Sequence, residues 1–171
     1  MIHTRALLRA VITPALGCLP PVMRSEHAEA TLLAIALQES GLRHRQQVNG
    51  PAHGLFQFEP VGVRGVLDHP ASYDYAQDAC EAWLYPIERR PDGTATADSV
   101  GRVYVAIRDN DVLATILARL TLWRLPEPLA ERDAPESGYA QYLESWRPGK
   151  PRQDHWADHW RTAWQAVTTG A

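Results

Sequence analysis

Cysteine is scarce: Cys18 and Cys80 are the only two in 171 residues, far apart and with no Cys-x-x-Cys spacing. That is too few for a disulfide framework and the wrong pattern for a structural zinc site, so both are expected to be buried thiols. An excess of charge of one sign is also missing. With 17 Lys and Arg against 20 Asp and Glu, the formal net charge is -3. Wholesale attraction to nucleic acid or to an anionic membrane is therefore not expected, and a polyanion would have to be bound locally. No apolar run approaches the roughly 18 residues that a membrane span needs. There is no GxSxG, P-loop or dinucleotide fingerprint, which leaves nucleophilic serine, nucleotide and hydride chemistry without support. Internal repeats, heptads and low-complexity tracts are absent as well.

What remains is helical pattern. A chain of this length buries roughly two-thirds of its unfolded surface, enough for one domain with a real core. In the stretch Met1 to Met23, Arg5 and Arg9 precede apolar residues as in a secretion signal or lipid anchor, with Leu16-Gly17-Cys18 as the corresponding cleavage site. Against this, Arg9 and Pro14 interrupt the apolar stretch, and Leu7, Leu8, Val11, Ile12, Ala15 and Leu16 repeat at helical spacing. A first helix of the domain is the favoured reading. The next helix is the best defined: Ser25 is an N-cap, Glu26 and Glu29 fall near the first turn, Ala28 to Leu37 is apolar, and Gly41 stands at the C-terminal cap. Asn49-Gly50-Pro51 reads as a turn. Gly54 to Val66 reads as a short strand or ordered loop, too glycine-rich for a long helix. Helices are expected at Ala71 to Leu84 and Val112 to Leu125, with Glu88 to Ala97 as a linker and Glu131 to Gly138 as a charged surface loop. The final helix carries Trp156, Trp160 and Trp164 at i, i+4 and i+8, a packing stripe. The expectation is mainly α: five to seven helices, little or no sheet, and one domain over 1–171 with a motif-bearing core at about 25–125 and a C-terminal helical region at about 139–168.

On the second helix Leu32, Ile35, Ala36 and Glu39 share a face, because residues three, four and seven apart line up. A carboxylate is thus aimed along an apolar stripe in the last turn. Burial and the negative end of the helix dipole both disfavour its charged form. That environment suits a general acid, which must hold its proton near neutral pH. The alternative is a solvated helix end with Glu39 paired to Arg43 at i+4.

Ile35-Ala36-Leu37-Gln38-Glu39-Ser40-Gly41 resembles the end of the catalytic helix in soluble lytic transglycosylases and goose-type lysozymes, where the glutamate before Ser-Gly is the acid. Gly50-Pro51-Ala52-His53-Gly54-Leu55-Phe56-Gln57-Phe58-Glu59-Pro60 resembles the glycine-rich motif of the same families, with Gly54, Leu55, Gln57 and Pro60 in matching places and Phe56 where methionine is usual. The likeness covers about Leu32 to Pro60. It implies a lysozyme-like α fold, peptidoglycan glycan strands as substrate, no cofactor, Glu39 as catalytic acid, and the 54–59 loop lining the cleft opposite it. Ser40, Gln57 and Phe58 are then expected to touch substrate. Glu59 leads Asp68 and Asp74 as a second carboxylate. The families' later Tyr-Asn-Ala-Gly motif has no match: the corresponding helix reads Ala118-Arg119-Leu120-Thr121-Leu122-Trp123. The segment Tyr139 to Pro151 is similar to stretches of small phage-encoded lysozyme-like proteins, which implies a virion-associated or lysis enzyme. Such an enzyme would be made in the bacterial cytoplasm without a clear signal peptide, associate with a phage particle, and act in the periplasm or cell wall. Tyr142 and Trp146 in this segment are expected substrate contacts; Trp83 and Trp123 are expected in the core. A non-catalytic structural or wall-binding role is the competing reading. A zinc hydrolase using His155, Asp158 and His159 is a more distant one, and no metal site is assigned. His44, His53 and His69 are expected at the surface, with His53 close enough to Gly54 to reach the cleft.

Overall fold

A computed structural model describes residues 3–47 and 49–169; the outermost positions of the expected 1–171 domain lie outside them. The chain begins as one helical rod: α1 (Thr4–Leu7), a π-helical turn (Leu8–Ile12) and α2 (Thr13–Gly17). Pro14 lacks an N–H and would clash with the carbonyl one turn back in a regular helix, and the wider turn before it relieves both problems. The proline sits in the first turn of α2, and the helical reading of this segment holds across it. Leu7, Leu8, Ile12, Ala15 and Leu16 are all buried, so this segment belongs to the core.

The third helix, α3 (Glu26–Ser40), runs through the middle of the molecule. Ser25 Oγ accepts from Ala28 N–H at 3.0 Å, and Gly41 ends the helix in the left-handed region at φ 56°, its N–H bonded to Leu37 O. Both caps are as read from the sequence. Its apolar residues are not confined to one stripe: Ala28 and every residue from Ala30 to Ala36 are buried, the pattern of a helix surrounded by others.

The glycine-rich stretch was expected to be loop or strand, but only its first part is. His53 and Phe58 exchange two backbone hydrogen bonds of 2.9 Å each around the turn Gly54 to Gln57, and α4 (Pro60–Asp68) follows at once with Pro60 in its first turn. Next come α5 (Tyr73–Ala82), α6 (Ala97–Ala106), α7 (Asp111–Trp123), α8 (Pro135–Trp146) and α9 (Trp156–Thr168). There are thus more helical segments than the five to seven expected, and α6 is the main addition. Between α5 and α6 the linker folds back on itself through a bridge between Arg89 and Ala95. Asp68 Oδ1 accepts from Ala95 N–H at 2.7 Å. Pro135 to Gly138, read as loop, form the first turn of α8.

The result is mainly α, with only isolated β-bridges among the described residues. No helix among them is long and apolar enough to cross a membrane. The tryptophan stripe packs α9 along α3 as expected: Trp156, Trp160 and Trp164 are 2%, 2% and 4% exposed. Trp160 also fixes α8, since a Cβ added at Gly138 would lie 2.8 Å from its ring. Trp83, expected in the core, is exposed, and Trp123 is half-buried. The thiols differ as well: Cys80 is buried, and burial pushes it up to about 12, whereas Cys18 is exposed.

Candidate active site

A cleft of about 1010 Å³ opens beside the C-terminal end of α3. Its wall takes Gln38 and Glu39 from that helix, Gln57, Phe58 and Glu59 from the following loop, Thr121 and Arg124 from the end of α7, and Tyr142, Trp146 and the 147–152 loop from the end of α8 and beyond. The two motif segments are thus brought to one concavity.

Glu39 is the most perturbed acid on this wall. Burial raises it from an ordinary 4.5 to about 7, against the opposing pull of a hydrogen bond from Tyr142 and the positive charge of Arg152. The donor is the Tyr142 hydroxyl, 2.6 Å from Glu39 Oε1. Desolvation therefore outweighs both interactions that favour the charged form. The solvated-end alternative, with Glu39 paired to Arg43, does not describe this carboxyl.

The partner of Glu39 arrives from 103 positions away because α8 and α9 stack aromatic rings. Tyr142 lies against Trp156 at 5.3 Å between centroids, with Tyr139 5.8 Å away, and is only 3% exposed. Tyr142, expected to contact substrate, borders the cleft and holds Glu39 through its hydroxyl. Trp146 is half-buried and donates from Nε1 to Phe56 O at 3.0 Å. Its ring lies 5.9 Å from Phe58, making an aromatic strip on the cleft wall. Gln57 reaches the cleft with backbone in the left-handed region, φ 48°, and Nε2 bonded to Gly54 O at 2.7 Å. This hairpin needs a glycine at its corner: Gly54 has φ 75°, and a Cβ there would lie 2.5 Å from Ile107 O.

Other expectations are corrected by position. Ser40 is 4% exposed; its hydroxyl donates to Ala36 O and accepts from Leu42 N–H, closing the helix end, and it does not line the cleft. Glu59 does line the cleft, as an exposed side chain at the N-cap of α4. Asp68 is engaged with Ala95, and Asp74 is exposed in the first turn of α5; neither borders the cleft. His44 and His69 are exposed as expected, whereas His53 is buried, its ring stacked 4.0 Å from Tyr104. The zinc arrangement is not formed. His159 Nδ1 donates to Gln38 Oε1 at 2.9 Å, and no three His, Cys, Asp or Glu side chains among the described residues are grouped to hold a metal.

No family model, curated protein or solved structure matches this chain. Two buried polar side chains have roles that the sequence did not signal. Gln38 is buried and ties Arg152 O to Nε2 at 2.7 Å while accepting from His159. Arg119, on the helix corresponding to the unmatched motif, is buried: it bonds Met23 O through Nε and lies over the Trp123 ring. That position is structural in this chain. From the same helix Thr121 reaches the cleft, its hydroxyl bonded to Leu117 O.

Proposed function

We propose that this chain cleaves the glycan strands of peptidoglycan, with Glu39 as general acid on a lysozyme-like helical scaffold. The observation that carries the proposal is one carboxyl raised to about 7 in the wall of a cleft large enough for sugar rings. The likeness of Gln38-Glu39-Ser40-Gly41 and of the 54–60 segment to lytic transglycosylases and goose-type lysozymes supports it. In this reading Tyr142 engages Oε1, leaving Oε2 to carry the acid proton. That proton passes to the glycosidic oxygen between muramic acid and its neighbour as the bond to the muramic C1 breaks and positive charge develops on the ring. Trp146 and Phe58 supply the apolar surface beside it.

The favoured second step is internal. The sugar's own C6 hydroxyl bonds to C1 and returns its proton to Glu39, closing a 1,6-anhydro ring and restoring the acid with no net consumption of water. Glu59 is the rival as base for a hydrolytic water. For an inverting attack, the two carboxyls would stand roughly 6.5 to 9.5 Å apart. The similarity of Tyr139 to Pro151 to phage proteins extends the proposal to a virion-associated or lysis enzyme acting in the periplasm or cell wall.

The test is incubation of the purified chain with sacculi and mass analysis of soluble products. Anhydro muropeptides, one water lighter than hydrolysed ones, are expected. Reducing-end products that depend on Glu59 would make it a muramidase. Binding to sacculi without release would favour the non-catalytic, wall-binding alternative.

A further inference from the structure

Arg124, Arg147, Lys150 and Arg152 all line the cleft. Five arginines away from these positions, Arg45, Arg64, Arg102, Arg108 and Arg161, each stand within 4 Å of a carboxylate. Among the described residues none of the four cleft cations has such a partner, although Glu59 and Glu144 border the same cavity. Arg124 is half-buried, and both its burial and the charge of Arg147 work against its cationic form. Two like charges facing each other in a partly desolvated groove are unfavourable until an anion joins them.

The wall is also held in shape. Arg147 ends α8 in the left-handed region at φ 47°, with its N–H bonded to Leu143 O. Pro148 and Pro151 restrict the chain beyond it, and Gln38 holds the carbonyl of Arg152. A rigid loop carrying cations loses little freedom when an anion arrives.

We infer that this wall is a subsite for a carboxylate carried on the muramic acid side of the glycan, an inference that rests on the glycan-cleaving reading. The sugar rings themselves offer only neutral hydroxyls and acetamides. Negative charge comes from the lactyl group where it is free, or from the stem peptide where the lactyl is amide-linked. Guanidinium groups suit either source, because their paired N–H donors match the two oxygens of a carboxylate. The subsite thus selects muramyl glycans over neutral chitin-like ones.

The test measures binding by calorimetry with N-acetylglucosaminyl-N-acetylmuramic acid disaccharides, which lack the bond the enzyme would cut. Three forms are compared at low salt: free lactyl carboxylate, neutral lactyl amide, and peptide-bearing. At least one carboxylate form should bind at least about tenfold tighter than the amide, with the advantage shrinking as salt is added. A preference for the free lactyl form or for the peptide form identifies the source. The advantage should disappear in the Arg147→Gln/Lys150→Gln variant, whose altered side chains are at the surface. Equal binding of charged and neutral forms by the wild type would overturn the inference, as would an advantage that survives in a folded variant. Tighter, salt-sensitive binding of a short single-stranded oligonucleotide would assign the wall to phosphate and overturn it too. Because the probes are not cleaved, failure to release muropeptides with charge selection intact would count against the cleavage reading alone.

Discussion

Glu39→Gln is expected to keep the fold and to lower muropeptide release by about 10² to 10⁴-fold, the usual loss when a general acid is removed. The amide has the shape of the carboxyl and can still accept from Tyr142, but it has no acid proton to give. The same substitution should stabilise the protein at alkaline pH. In the folded chain Glu39 holds its proton up to about pH 7, against 4.5 for an ordinary glutamate. Between those values the folded state binds more protons than the unfolded one, so wild-type stability falls as pH rises through that window. Above it the buried charge costs on the order of 1 to 3 kcal/mol, which glutamine avoids. Thermal denaturation at pH 8 should therefore favour the variant, with the difference disappearing below pH 4.5. Near-wild-type release by a folded variant would remove Glu39 from the mechanism. A variant less stable at pH 8 would contradict the burial argument.

The second large effect is in the core. Replacing Trp160 with Ala should cost about 3 to 5 kcal/mol, because the ring is 2% exposed and the space it leaves is walled by Trp156, Trp164 and Gly138. For a domain of this size that corresponds to a fall of roughly 6 to 20 °C in Tm. The indole also donates from Nε1 to Arg132 O, so the segment leading into α8 loses a tether as well. Unchanged Tm together with weaker binding to cell walls would mean that this stripe is a binding surface and not a core.

Local signals in the sequence were reliable where the structure is local. The caps of α3 could be read because Ser25 and Gly41 act within one turn. The stripe on α9 could be read because three large apolar rings on one helix face gain most by being buried together. Helix α4 was missed for a reason visible in its packing. Gly62 lies 3.2 Å, by its added Cβ, from the Phe58 ring, and Gly65 lies 3.0 Å from the Arg124 guanidinium. These glycines allow close approach and do not break the helix, and only the neighbours reveal that. Helix α6 has a cap of its own, Thr96 Oγ1 accepting from Ser99 N–H at 3.2 Å, but it is short and follows a turn rich in breakers.

The candidate site divides in the same way. Glu39 was legible because its surroundings on one helix already imply burial. Its hydrogen bond to Tyr142 was not, since a contact between residues 39 and 142 depends on how α8 stacks against α9. The cationic wall is likewise assembled from the end of α7 and the 147–152 loop; the loop is basic in sequence, with Arg147, Lys150 and Arg152, but nothing in it shows that Arg124 joins it at the cleft. Ser40 shows the opposite error: a residue inside a motif was expected to touch substrate, but its hydroxyl is used to end the helix.

Glu39 is a carboxyl whose burial in the cleft wall raises it to about 7. The most direct measurement is a ¹³C NMR titration of the glutamate side-chain carboxyls, with Glu39 assigned by its absence in Glu39→Gln. A midpoint at about 7 is expected for this one resonance. A midpoint near the ordinary 4.5 would contradict it, because the carboxyl would then be ionised at neutral pH and have no proton to donate.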